Sequence, residues 1–292
     1  MRADTFVTLL ISGLSGAAIL FLVGSGLTLV FGALRIINMA HGSLYMVAAF
    51  VAVAVGARVS GDAGFWLAIL AGSAAAGALG GVIEVTILRR LYNRDHLFQL
   101  LATFSLVLII SGLVRAVFGT DYGRLQPPGV IAGSVTVGAS AIASYQLFLI
   151  VVAAVVAIAL WATIYRTALG RLIRAALADP ELLRLSGVNV TLLFTGVFCI
   201  GATLAGIGGA VIAGYQSVSL GIDVDIVVEA FAVTIIGGLG SLGGALIGAA
   251  LVGMVQSFGI YYAPKWSLAF IFLVMVAVLA VRPSGLFGAA ER

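Results

Sequence analysis

A chain of 292 residues that is 62% hydrophobic and 9% charged, with a mean hydropathy of +1.24, cannot be a water-soluble globule, which carries about 25% charged residues. It reads as an all-α, polytopic transmembrane helical bundle, a single membrane domain over residues 1–292, and the small net charge of +4 gives no reason to expect nucleic acid. Cys199 stands alone, which excludes an intrachain disulfide, and with His41 and His96 it is too little for a metal site. The only lysine, Lys265, follows Pro264, so the Gly-Lys-Ser/Thr of a phosphate-binding loop is missing and any nucleotide chemistry belongs to a partner. H-E-x-x-H and G-x-S-x-G are missing too, which counts against an intramembrane hydrolase.

In chain order, runs of about 20 mostly apolar residues mark the spanning helices. The first, near 7–33, is expected to be a retained membrane helix despite Arg2 ahead of it, because similar runs repeat along the whole chain. In residues 32–46, GALRIINMAHGSLYM, Arg35, Asn38 and His41 interrupt an apolar run before a helix near 38–57. Polar groups in a membrane are costly enough to need partners. His41 is either a buried histidine bonded to a carbonyl or a ligand-binding one. The helix near 65–88 carries small residues at Gly72, Ala76 and Gly80, and at Gly77 and Gly81, the spacing of a close-packing face. Its Glu84 lies about one turn from Arg89 and Arg90, which suits a structural role. Gln99, Thr103 and Ser105 start the helix near 97–118, and such hydroxyls often bond their own backbone.

The loop 119–145, expected to be external, is rich in Gly, Ser and Val with some alternation, and is expected to form a small hairpin resting on the outer face. A helix near 146–165 leads to the loop 166–190, RTALGRLIRAALADPELLRLSGVNV. Arg166, Arg171, Arg174, Asp179, Glu181 and Arg184 put this loop outside the lipid. Asp179-Pro180-Glu181 reads as a helix start: a capping carboxylate, Pro at the first helical position, an acid in the first turn, and Gly187 just past the end. A second short helix, about 170–178, precedes it. Two such helices make a rigid knob able to receive force from a soluble partner; an ordinary basic loop is the alternative.

A helix near 191–215, an irregular apolar segment over 228–260 and a helix near 266–281 complete the chain. Arg89, Arg90, Arg94, Arg166, Arg171, Arg174, Arg184, Arg282 and Arg292 fall on one side, against Arg58, Arg115, Arg124 and Lys265 on the other, so the first side is expected to be cytosolic. The segment 228–260 then starts outside after Asp223, Asp225 and Glu229, and must return outside before Lys265. Its glycine-dense middle, 237–248, predicts a broken or re-entrant helix, because non-helical backbone at membrane depth needs protein or a water-filled cavity around it. Close packing through Gly240, Gly244 and Gly248 is the alternative, and both can hold. Breaks followed by Gly42-Ser43 and by Gly243-Gly244 make these two segments candidates for related halves of an internal repeat.

Together, GLTLVFGALRIINMAHGSLYMVAAF (26–50), GRLIRAALADPELLRLSGVNV (170–190) and EAFAVTIIGGLGSLGGALIGA (229–249) closely resemble the LivH-type permease subunit of the branched-chain amino-acid ABC importers. The resemblance runs through nearly the whole chain in the same order. It implies a bacterial inner-membrane protein paired with a second, related permease subunit, two cytosolic ATPase subunits that bind ATP and Mg, and an external solute-binding protein. It implies no cofactor and no catalysis in this chain. The loop 170–190 matches the coupling region, with Arg174, Ala176, Asp179, Pro180, Glu181, Leu185 and Gly187 as candidate coupling residues. Asn38 to Gly42 and Gly237 to Gly244 match the translocation core. The candidate pathway residues are Asn38, His41, Gly42, Tyr45, Thr103, Thr234, Gly237, Gly238, Gly240, Ser241 and Gly244. Relatives of this architecture carry urea, short amides or other small polar solutes, and a passive channel for small neutral solutes is the rival class. The capped loop favours the transporter, since a channel has little need of a docking helix.

Overall fold

The computed structural model describes residues 3–92, 94–121, 123–138 and 140–288. Its long helices are α1 (Ala3–Leu34), α2 (His41–Arg58), α3 (Asp62–Thr86) and α4 (His96–Phe118). After a short α5 (Gly129–Ala132) come α6 (Ser144–Arg166), α7 (Ala168–Ala178), α8 (Pro180–Leu185), α9 (Val190–Tyr215), α10 (Ile222–Gly237), α11 (Leu242–Tyr262) and α12 (Ser267–Val281). Strands β1 (Ser134–Val137) and β2 (Ser140–Ala143) pair antiparallel, the hairpin expected in loop 119–145. It rests against the start of α1, where the Ser140 hydroxyl donates to the Asp4 carbonyl at 2.9 Å. Among the described residues, eight helices are long and apolar enough to cross a membrane. The chain is thus an all-α, multi-pass membrane bundle.

Small residues set the packing. Apolar side chains gain nothing by leaving lipid for one another, so membrane helices associate through close backbone approach. On α3, a β-carbon at Gly77 would strike Thr203 and one at Gly80 would strike Ala202, while a β-carbon at Gly206 of α9 would strike Ala76. The small-residue face expected on α3 therefore meets α9, and the two run antiparallel. Gly26 and Gly201 bring α1 onto α9 in the same way, and Gly253 lays α11 on the Gly13 carbonyl of α1. Polar side chains in this frame mostly bond their own helices. Thr103 donates to the Gln99 carbonyl at 2.8 Å and Ser105 to that of Leu101 at 2.8 Å.

Two breaks interrupt the bundle. Between α1 and α2, Arg35 takes a left-handed φ of 51°, and the Asn38 side chain accepts from the Ala40 amide at 3.1 Å. Between α10 and α11, Gly238 (φ 98°) and Gly240 (φ 84°) turn the chain back on itself. Ser241 then caps α11 by accepting from the Gly244 amide at 3.0 Å. The segment expected to be irregular over 228–260 is therefore two regular helices with a four-residue break at 238–241. Contacts of Gly237 with Gly244 and of Val233 with Gly248 make them an antiparallel hairpin. Carbonyls freed at the end of α10 are taken up by the C-terminal segment: Leu286 N–H donates to Ile236 O at 2.9 Å and Phe287 N–H to Gly237 O at 3.0 Å. Gly285 (φ 81°) lets that segment pass against Gly238.

One expectation is corrected. Asp223, Asp225 and Glu229 do not precede the helix outside the bundle; they lie within α10, which begins at Ile222. Asp223 is 2% exposed, and its carboxylate accepts from the hydroxyls of Ser43 on α2 and Ser111 on α4, both at 3.1 Å. Two hydroxyl donors from other helices offset the cost of burying the acid, which hydropathy along one segment cannot register.

The charged residues gather at two ends. The end bearing α7 and α8 also carries Arg35, Arg89, Arg90, Arg94, Arg166 and Arg282. The β1–β2 end carries Arg58, Arg115, Arg124 and Lys265. Arg292 lies outside the described residues. At the first end Glu84, fully buried, pairs with Arg89 at 3.1 Å and accepts from the Tyr92 hydroxyl. Arg89 also donates to Thr195 of α9 at 2.7 Å, tying α3 to α9. Burial, then the bond to Glu84, pushes the Tyr92 phenol up, so it stays a donor. Glu84→Leu should leave the Tyr92 hydroxyl without its partner, at a cost of about 1–3 kcal/mol, while Arg89 keeps Thr195 and solvent. The check is a fall in the thermal unfolding temperature of the detergent-solubilised protein; an unchanged temperature would mean the cluster is solvated and idle.

Candidate functional site

The polar residues expected in the translocation core separate into two groups along α1. The first surrounds the start of α2. His41, fully buried, places Nε2 3.2 Å from the Val23 carbonyl, which is the buried, carbonyl-bonded arrangement. Gly42 lets α2 touch the start of α10, since a β-carbon there would strike the Asp223 carbonyl. Thr103 also reaches the Ile37 carbonyl at 3.4 Å, joining α4 to the break. Thr234 lies beside this group, bonded to the Ala230 carbonyl at 2.8 Å and approached by Thr28 at 3.3 Å. Within the group, Asn38 Nδ2, His41 Nδ1 and Asp223 Oδ1 are buried without a protein partner among the described residues. Unpaired buried polar atoms are costly, which makes this group the candidate place for water or a polar solute.

The second group, Gly237, Gly238, Gly240, Ser241 and Gly244, lies at the α7–α8 end. Gly32 of α1 packs there with Gly240 on one side and Leu177 of α7 on the other. Here glycine serves two ends. Gly238 and Gly240 supply the left-handed backbone of the turn, while Gly237 and Gly244 press backbone against backbone. The two groups meet along α10, where the Gly238 amide donates to the Thr234 carbonyl at 3.0 Å.

Tyr45, one turn beyond His41 on α2, lines a cavity of about 260 Å³. With it the cavity is lined by Asp225 and Glu229 of α10, Gln256 of α11 and the end of α9. Asp223, Ser43, Ser111, Glu229 and Gln256 were not among the expected site residues. The signal available was the run of three acids at 223–229 ahead of an apolar stretch, read as marking the outside.

At the α7–α8 end the knob has the expected form. Thr167 caps α7, accepting from the Gly170 amide at 3.1 Å. Asp179 caps α8, accepting from the Glu181 and Leu182 amides at 3.0 and 2.9 Å. Gly187 ends it at φ 82°. The candidate coupling residues divide by face. Ala176 is buried against the bundle, and Arg174 folds back onto the Ile164 carbonyl and over the Tyr165 ring at 5.3 Å. Pro180, Glu181, Leu185 and Gly187 face outward. Leu182 and Leu185, 62% and 85% exposed, form an apolar tip that the protein itself leaves uncovered. Leu182 was not singled out in the sequence, since one apolar residue among many carries no mark.

A multi-pass bundle with two helix breaks, unpaired polar atoms in its core and a capped knob at the arginine-rich end is the build of a membrane permease subunit. The family described as "Branched-chain amino acid transport system / permease component" matches residues 9–279, and the chain belongs to it. It is similar to the high-affinity branched-chain amino acid transport system permease protein BraD of Pseudomonas aeruginosa, 30% identical over 97% of this chain and 95% of that one. Similarity to LivH of Escherichia coli K12, with the same description, is 27% over 98% and 96%. The fructose import permease protein FrcC of Rhizobium meliloti is 33% identical, over 42% of this chain and 36% of that one. No solved structure matches.

Proposed function

We propose that this permease subunit forms, with a second related permease subunit, the pathway for branched-chain or other small amino acids, and that two cytosolic ATPase subunits, which bind ATP and Mg, drive it through alternating access. An external solute-binding protein delivers the solute. The observation that carries this reading is the knob: α8 is capped at both ends and holds Leu182 and Leu185 in the solvent, the form of a helix that docks into a partner. Movement of the docked knob reaches the α10–α11 turn through Leu177 of α7, Gly32 and Gly240, and α10 carries it to the polar group at the start of α2. An amino acid has no net charge, so helix ends and exposed backbone can meet its two charged groups.

The test uses the assembled complex reconstituted in vesicles. ATP hydrolysis is expected from the complex, stimulated by solute and delivery protein, and none from this chain alone. Single cysteines at 184 and 124 in a Cys199→Ser background place the ends: an impermeant thiol reagent outside cells should label position 124 and spare 184. Labelling of 184 from outside, or hydrolysis by the purified single chain, would overturn the reading.

A further inference from the structure

We infer that the cavity at the β1–β2 end of α1, α2, α9, α10 and α11 is a binding site for a cation of the ammonium class carrying a short aliphatic tail. Asp225 and Glu229 lie one turn apart on the same face of α10, and both line the cavity. No basic side chain lines it among the described residues; Asp225 is exposed at the cavity and Glu229 is half-buried, so two like charges stand together with no countercharge in the lining. Such a pair repels, and a cation between its members relieves the repulsion. One Glu229 oxygen is held by the Gln256 amide at 2.8 Å, which fixes the carboxylate's direction. Tyr45, on the same wall, is 3% exposed, and its hydroxyl has no hydrogen-bond partner among the described residues. It is a polar group built into the site and left free.

The rest of the lining is aliphatic, from Ile19, Ile212 and Ile226. A volume of about 260 Å³ suits a molecule of a few heavy atoms, below the range of drug-sized ligands. Acids on one side and branched aliphatic walls on the other fit an ammonium group attached to a short alkyl chain. They do not fit an anion. The ammonium is that of the transported solute, an assignment that rests on the amino-acid permease reading.

The probe is radiolabelled isobutylamine, measured at neutral pH by equilibrium dialysis against the whole complex in nanodiscs. Saturable binding is expected, unaffected by isobutyrate and weakened at least tenfold by Asp225→Asn combined with Glu229→Gln. A second variant, Gly16→Leu, fills the cavity from α1 at a position with open space around its Cα, and should block the probe while both acids remain. It decides the matter if the double variant fails to assemble. Displacement by leucine and not by sodium is expected; displacement by sodium and not by leucine makes this an alkali-cation site and overturns the ammonium assignment. No saturable binding, or binding that Gly16→Leu leaves unchanged, overturns the proposal. Loss of the site in a complex that still takes up amino acids would leave the importer reading standing, whereas probe binding in a complex with no uptake would sink that reading alone.

Discussion

Gly244→Leu should prevent recovery of an intact complex, and Gly243→Ala, one position earlier, should be silent. A β-carbon at 244 would collide with the Gly237 carbonyl, and that carbonyl cannot retreat because the amide of Phe287 bonds to it from the other side at 3.0 Å. At 243 nothing lies within 4 Å, so Ala fits and even favours the helix. Overpacking a well-filled site costs about 1–3 kcal/mol where neighbours are flexible side chains, and more against backbone. Two helices joined by a four-residue turn have no other way to spread than to open the whole α10–α11 hairpin. Size-exclusion profiles of both variants, with uptake in reconstituted vesicles, give the answer. A Gly244→Leu complex that assembles normally and fails only in transport would mean that the glycine keeps space open for solute rather than bringing two helices together.

The same glycines show how far the chain could be read before its fold was seen. G-x-x-x-G spacing and the dense run at 237–248 announced both a break and a packing face, because each is a local property of backbone without side chains. The cap at Asp179 and the left-handed stop at Gly187 were legible for the same reason: every partner lies within eight residues. The acids of α10 were not legible. The burial of Asp223 depends on hydroxyls of Ser43 and Ser111, 180 and 112 positions away in the chain, which no local window contains. Residues 282–288 were equally opaque. RPSGLFG looks like a plain chain end after the last apolar run, yet its amides complete α10 by answering carbonyls some fifty residues earlier. Ala176 illustrates a finer limit, since an amphipathic helix announces that it has a buried face while the exact residue facing in depends on where the helix lies against the bundle.

The largest functional effect is expected at the tip of the knob. Replacing Leu182 and Leu185 together by Ser should leave insertion and folding intact, because neither side chain is buried in this chain and polar residues agree with an aqueous position. Solute-stimulated ATP hydrolysis and uptake should fall at least tenfold, since a handful of residues dominate a docking surface, each worth about 2 kcal/mol or more (roughly thirtyfold) when truncated, and Leu182 and Leu185 are the apolar residues this tip offers. Glu181→Arg should act in the same direction but more weakly. It puts a positive charge near the positive end of the α8 dipole, at a cost of about 0.3–1 kcal/mol at an exposed terminus. Gly187 separates shape from contact. Its φ of 82° is forbidding to a β-branched residue and tolerable to Asn, and nothing lies within 4 Å of the position, so crowding plays no part. Gly187→Val should therefore uncouple hydrolysis from solute by unwinding the end of α8, and Gly187→Asn should restore most of the coupling. If the double Ser variant and Gly187→Val both support normal uptake and normal solute-stimulated hydrolysis in vesicles, α8 is an ordinary solvent-facing loop helix, and force enters the permease elsewhere.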